Sequence, residues 1–282
     1  MDLKTLQLNP PWDWPEDAGA ICLGILRDKA AELSDRMLAA EFAGNPAAVN
    51  DELVETLLAV AGDAGEPDQL RGIAAISLGP VLDEMDADAF DDDFDPAPIS
   101  VPVFQKIKET LRQLFEDKTA PKDVRRRILE ASVRANADWH IEAIREAYAS
   151  GDRDWMLTGV FCMRWEAGFD EQIMDALKSS DEEIRYEAVQ AAGNNELDEA
   201  WPHVLALVKK PNTEKYLLLA AIEAVSSIRP VEALSVLSKL TTAKDQDVVD
   251  AAEEAIAMAA AAVEAAENDD GDDETVIKKW VN

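Results

Sequence analysis

Apolar residues recur every three or four positions along most of the chain, and polar residues fill the positions between them. After Phe169, for example, Ile173, Met174 and Leu177 fall on one face of a helix. This spacing is typical of amphipathic helices, whereas a half-buried strand would alternate strictly between apolar and polar residues. No such alternation extends over the length of a strand. The pattern therefore predicts an all-α protein.

Six apolar segments align with one another at an interval close to thirty residues. The second residues of these segments are Leu70, Val124, Trp155, Ile184, Tyr216 and Val248. The intervals between them are 54, 31, 29, 32 and 32 positions. Each segment except the last is followed by a second amphipathic stretch. Two helices in about thirty residues, joined by short turns, predict an α-solenoid.

The aligned segments also share an order of residue types. In DEEIRYEAVQAAGNN, residues 181–195, an acid precedes an apolar residue, an arginine and then several small residues. This order resembles a HEAT repeat of the short bacterial kind, and the resemblance covers about residues 67–262. It implies an α-α superhelix, right-handed, of about six to seven helix pairs. It also implies that Arg71, Arg125 and Arg185 bond or pair between neighbouring repeats.

We predict three parts along the chain. They are an N-terminal cap segment (residues 1–15), a HEAT-like solenoid (residues 16–262) and an acidic C-terminal tail (residues 263–282). Trp12 and Trp14 are expected to cover the exposed edge of the first repeat, because the ends of a solenoid need caps.

One interval is longer than the others and indicates an insertion. The interval of 54 positions exceeds its neighbours by about 23 residues, which places an insertion at residues 83–102 within one repeat. One helix is expected from Gln69 to about Met85, and the next from Pro102. Insertions of this kind project from one face of a solenoid, often the binding face.

The insertion is strongly acidic, with eight acidic side chains and no basic one between Asp83 and Asp95. An EF-hand calcium loop starting at Asp91 requires Gly and Glu at its sixth and twelfth positions, where Pro96 and Pro102 stand instead. Two interpretations stay open: a solvated acidic loop, or a surface that attracts a basic protein and anchors it with two phenylalanines. The residues of this hypothetical protein-binding surface are Asp86, Asp88, Phe90, Asp91, Asp92, Asp93, Phe94 and Asp95.

The whole chain is acidic as well, with a formal net charge of −31. Such a field repels nucleic acid and anionic membranes and attracts basic proteins. An alternative interpretation is that the acidity only keeps the protein soluble or reflects a salty cytoplasm. No apolar run approaches the roughly 20 residues of a membrane span, and the N-terminal residues lack the apolar core of a signal peptide. We therefore expect a cytoplasmic protein. Cys22 and Cys162 each lie in an apolar helical run, which predicts buried thiols.

Enzymatic chemistry finds little support in the sequence. The two histidines, His140 and His203, belong to no metal-binding motif, and neither a phosphate-binding glycine loop nor a nucleophile elbow is present. HEAT-type metal hydroxylases have repeated His-Glu pairs, which this sequence lacks. Some HEAT-like proteins excise damaged DNA bases with tryptophans, but we expect Trp139, Trp155 and Trp165 to lie in the core between repeats. We predict no catalytic, cofactor-binding or metal-binding residues and no nucleic-acid partner.

The sequence thus predicts a non-enzymatic scaffold or adaptor that binds a basic partner protein through acidic surface segments. The alternative rests on a resemblance to the repeats of phycobilin lyases and implies an accessory role, such as assistance in chromophore attachment.

The acidic tail ends in a segment that contains Val276, Ile277 and Trp280. It is either a loose end or a short apolar segment that binds the protein's own groove or a partner. The oligomeric state stays open.

Overall fold

The computed structural model describes residues 3–87 and 97–269, and all regular secondary structure in these two ranges is helical. The chain divides into two compact units, Met1–Ala143 and Ile144–Asn282. Within each unit the helices pack as repeated pairs. The predicted all-α, α-solenoid fold class is therefore confirmed.

The first unit stacks its helices in two layers. Its helices are α1 (Leu3–Leu8), α2 (Ala18–Arg27), α3 (Leu33–Ala43), α4 (Asp51–Gly62), α5 (Asp68–Ile76), α6 (Gly79–Ala87), α7 (Val101–Glu116) and α8 (Lys122–Ser132). One layer contains α2, α4 and α7, and the other contains α3, α5 and α8. The layers bury side chains such as Leu53, Leu70 and Ile128 completely. Each helix pair thus covers the apolar face of its neighbour, as stacked repeats do.

The structure corrects one sequence prediction at the start of the insertion. The helix expected from Gln69 to about Met85 is in fact two helices, with α5 ending at Ile76 and α6 beginning at Gly79. Pro80 explains the break, because it has no N–H to donate to the Ile76 carbonyl and its ring would clash with that carbonyl. α6 continues to Ala87, so the first residues of the predicted insertion are helical. This helix packs against α8.

The N-terminal residues cover the first helix pair through Trp14 but not through Trp12. The indole N–H of Trp14 donates to the carbonyl oxygens of Leu6 and Asn9, both at 3.0 Å. Its ring lies 5.0 Å from the ring of Phe42 in α3. Trp12, in contrast, is 83% exposed. One of the two tryptophans expected to cap the first repeat therefore contacts it.

The second unit begins within α9 (His140–Ala149) and repeats the same packing. Its other helices are α10 (Arg153–Cys162), α11 (Asp170–Ala176), α12 (Glu182–Asn194), α13 (Trp201–Lys209), α14 (Lys215–Ile228), α15 (Pro230–Leu237) and α16 (Gln246–Asp269). α10, α12, α14 and α16 pack side by side in one layer, and α11, α13 and α15 pack against it. These four layer helices are the aligned segments from Asp154, Glu183, Lys215 and Asp247, which confirms the predicted repeat.

Aspartate side chains fix where two of the layer helices begin. Asp152 caps α10 and Asp181 caps α12, and each carboxylate accepts two backbone N–H groups of the first turn at 3.0 to 3.3 Å. These N–H groups have no partner within the helix, so the caps satisfy them.

Both cysteines lie in the core. Cys22 and Cys162 are buried, as predicted, and neither is in a disulfide. Burial raises the pKa of the Cys22 thiol to about 11, which keeps it protonated and unreactive near neutral pH.

Candidate protein-binding groove

The acidic surface predicted from the insertion lies largely outside the described residues. Asp86, at the end of α6, is half-buried, and its Oδ2 accepts a hydrogen bond from the backbone N–H of Asn136 at 3.3 Å. The other predicted contact residues lie outside the described ranges: Asp88, Phe90, Asp91, Asp92, Asp93, Phe94 and Asp95. Their role in binding stays a prediction.

A groove that the sequence did not predict crosses the layer helices of the second unit. It has a volume of about 390 Å³ and lies on one face of α12, α14 and α16. Its main lining residues are Tyr186, Tyr216, Leu219, Glu223, Glu254 and Met258. Within each helix these residues are three or four positions apart, so they share a face. We call this feature the layer groove.

Two tyrosines form one wall of the layer groove. The rings of Tyr186 and Tyr216 lie 5.6 Å apart at an angle of 53°, within the range of favourable aromatic pairs. Tyr216 is 42% exposed, and its hydroxyl lies 3.4 Å from Oε2 of Glu182. Desolvation and the nearby Glu182 charge raise the pKa of Tyr216. The hydroxyl therefore stays protonated at neutral pH, and its O–H donates to the Glu182 carboxylate.

The aromatic wall continues onto α10 through an arginine. The guanidinium of Arg164 lies 5.0 Å from the ring centre of Phe161 and 5.9 Å from those of Trp165 and Tyr186. It also forms an ion pair with Glu187. Arg164 thus connects Phe161 and Trp165 with Tyr186 of α12, and its charge is paired with that of Glu187.

The layer groove also contains two carboxylates, those of Glu223 and Glu254. Glu223 and Glu254 are exposed, and neither is in an ion pair with any residue that the structure describes. Two basic residues near Glu223 in the sequence pair with other carboxylates: Lys215 with Asp245 and Asp247, and Arg229 with Asp198. The layer groove therefore combines an aromatic pair with two carboxylates that have no counter-ion within residues 3–87 and 97–269.

The layer groove also has an apolar floor of small and flexible side chains. Ala220 and Ala255 are buried at the bottom, and Leu219 is half-buried beside them. Met258 is 48% exposed at the edge, and methionine adapts its shape to different neighbours. Such a floor suits the aliphatic part of a long side chain, while the carboxylates suit a cationic end.

The histidines singled out in the sequence occupy different environments. His140 is buried and its ring packs edge-on against Trp139, with ring centres 4.4 Å apart. Burial, together with the charge of Lys108, lowers the pKa of His140 to about 4. His203 is exposed. In the described ranges, no group of three or more potential ligand side chains is arranged to hold a metal ion.

The three tryptophans expected in the core between repeats are only half-buried. Trp139 packs on Phe115, with ring centres 5.0 Å apart, and Trp165 packs on Phe161 at the same distance. The expectation was wrong in degree, because each of the three indoles keeps part of its surface in contact with solvent. The ring of Trp165 lies next to the guanidinium of Arg164.

Comparison with known proteins identifies the repeats. Residues 171–257 match a family model described as HEAT repeats. No curated protein matches the sequence. Among the helices of the described ranges, none has both the length and the apolar character needed to cross a membrane.

Two solved structures are similar to the chain. Escherichia coli YibA is 17% identical with a TM-score of 0.45, over 90% of this chain and 85% of YibA. Human deoxyhypusine hydroxylase in complex with glycerol is 17% identical with a TM-score of 0.42, over 92% of this chain and 88% of the hydroxylase. The family match confirms the predicted HEAT-repeat resemblance for residues 171–257, which include most of the layer groove, from Tyr186 to Glu254.

Proposed function

We propose that the protein is a non-enzymatic, cytoplasmic scaffold that binds a basic segment of a partner protein in the layer groove. The observation that carries this proposal is that the Tyr186–Tyr216 pair shares the layer groove with Glu223 and Glu254, two carboxylates without an ion-pair partner among the described residues. Aromatic faces and carboxylates both attract lysine and arginine. A segment with cationic and apolar residues side by side would satisfy the carboxylates and cover the apolar floor.

The charge of the whole chain supports a basic partner. With a net charge of −31, the protein attracts cations over a distance and raises their rate of encounter, while it repels nucleic acid and anionic membranes. We propose the predicted insertion surface, Asp86 to Asp95, as a second contact for the same partner. The layer groove would provide the anchoring contact and the insertion an additional attraction.

Fluorescence anisotropy with defined peptides tests the proposal. The probe is a labelled eight-residue peptide in which two adjacent lysines lie between isoleucine and tryptophan, and the control peptide has glutamates in place of the lysines. We expect binding of the lysine peptide alone, weakening about five-fold or more between roughly 50 and 300 mM salt because exposed charges are screened.

Two variants decide whether the layer groove is the binding site. Glu223→Gln combined with Glu254→Gln should weaken binding of the lysine peptide about ten-fold. Glu253→Gln combined with Glu264→Gln removes the same charge from exposed positions of α16 that do not line the groove and should leave the affinity almost unchanged. Equal losses of affinity in the two double variants would mean that the peptide is held only by non-specific charge attraction, which would overturn the proposal.

A further inference from the structure

We propose that the protein's own C-terminal residues 276–282, VIKKWVN, bind in the layer groove and compete there with a partner. This inference rests on the groove described under the proposed function. The segment has two adjacent lysines, Lys278 and Lys279, with apolar residues on both sides. These lysines are the only basic residues after Lys244, so the segment is the local positive charge in an acidic part of the chain.

The chemistry of this segment matches the walls of the layer groove. The two lysines match the two carboxylates of Glu223 and Glu254, which have no ion-pair partner among the described residues. Ile277 and Trp280 flank the lysines, and the groove offers an aromatic wall and the exposed Met258 to them. Opposite charges beside apolar contacts favour one register of binding.

The chain is long enough to return to the groove. Met258 lies 11 residues before the last residue of α16, Asp269, which corresponds to about 16 Å along the helix. Residues 270–276 span up to about 25 Å when extended. Residues 276–282 can therefore reach the level of Met258, and binding with Val276 at that level would direct the segment towards Glu254, antiparallel to α16.

The surface of α16 between the groove and the end of the helix is also suited to this path. Ala262 and Ala265 follow Met258 at intervals of four and three residues, so they share its face, and both are exposed. A row of small apolar side chains thus continues from the groove to the point where the chain leaves α16. An extended segment can pack closely on these two alanines.

Site-specific cross-linking in the full chain tests this binding mode. Met258→Cys combined with Val276→Cys should cross-link through a short bismaleimide at least about ten-fold faster than Ala260→Cys combined with Val276→Cys. Ala260 is exposed on the opposite face of α16, at nearly the same distance from the tail. The native Cys22 and Cys162 are buried and serve as the unreactive background. Equal cross-linking rates at the two positions would overturn the proposal.

A second measurement tests competition. In full chains with Trp280→Ala, or with Lys278→Glu and Lys279→Glu, the lysine peptide should bind about three- to ten-fold more tightly, because the groove is no longer occupied. Unchanged peptide affinity in both variants would contradict the proposal. Selective cross-linking at Met258 without peptide binding to any chain would retain the tail contact but reject the partner-binding function, so the two failures differ.

Discussion

At the scale of single residues, an arginine at the fourth position of a helix bonds to the backbone of the segment before that helix. This arrangement occurs in α3, α5, α8 and α12. Arg36, Arg71 and Arg125 each donate to the carbonyl oxygen ten residues earlier, and Arg185 donates to that of Ser179, all at 2.9 to 3.1 Å. Carbonyls at a helix C-terminus have no donor within their helix. The arginines satisfy them and tie consecutive helices together.

The sequence predicted three of these arginines and missed the fourth. An apolar residue precedes Arg71, Arg125 and Arg185, whereas Asp35 precedes Arg36, so the alignment did not include it. Arg36 also bonds to the buried Glu66 at 2.7 Å, 30 residues away. A pattern of residue types along the chain does not specify such a pairing, because it depends on how the turn before α5 folds back.

The buried His140 predicts a pH dependence of stability. Its pKa is about 4 in the folded protein and about 6.5 when unfolded, so the unfolded state binds more protons between these values. Stability from this residue is therefore complete above about pH 6.5 and is lost as the pH falls towards 4. Urea unfolding should show a loss of about 2 kcal/mol between pH 7 and pH 5 that is absent in His140→Gln.

Carboxylates also titrate in acid, so the His140 effect is measured as a difference between proteins. His203 is exposed, and His203→Gln should follow the wild-type pH dependence. If His140→Gln loses as much stability as the wild type between pH 7 and pH 5, the imidazole is not held neutral by the fold.

At the scale of helices, the close contact between the ends of α3 and α5 predicts an intolerant glycine. A Cβ atom at Gly44 would lie 1.8 Å from the carbonyl oxygen of Ser77, whereas one at Gly24, in α2, meets nothing within 4 Å. Gly44→Ala should destabilise the first unit by about 1–3 kcal/mol, because the backbones must separate. Gly24→Ala should stabilise it by about 0.5–1 kcal/mol, because alanine favours helix.

Both glycines belong to the same unit, so urea midpoints of the two variants report on one unfolding transition. Opposite shifts of the midpoint are the expected result. Similar shifts for both substitutions would mean that the helix ends move apart freely at Gly44.

Helix positions followed from the sequence more readily than the layer groove did. The spacing of apolar residues specifies which side of each helix faces its neighbours, and the aligned segments are indeed the layer helices. The groove brings together Tyr186, Tyr216 and Met258 from three repeats. Which face stays uncovered depends on the packing of whole helices, and an exposed tyrosine at a helical interval resembles a core residue in the sequence.

At the scale of the whole molecule, charge exceeds what internal ion pairs can neutralise. The chain has 58 acidic and 27 basic side chains, so 31 carboxylates lack a counter-charge even if every basic residue is paired. Exposed ion pairs, such as that of Lys106 with Glu55, contribute only about 0–1 kcal/mol each. Repulsion among the excess carboxylates therefore outweighs surface attraction and lowers the stability of the folded state.

Screening this repulsion should stabilise the protein. Raising NaCl from about 20 mM to about 500 mM shortens the screening length from roughly 20 Å to about 4 Å, which weakens long-range repulsion more than it weakens contacts in buried pairs. We expect a rise in Tm of about 3 °C or more, corresponding to roughly 1 kcal/mol. KCl should act equally, because the effect depends on ionic strength and not on the ion. A falling Tm would mean that attractive surface pairs dominate, and a response to millimolar calcium alone would point instead to a specific cation site.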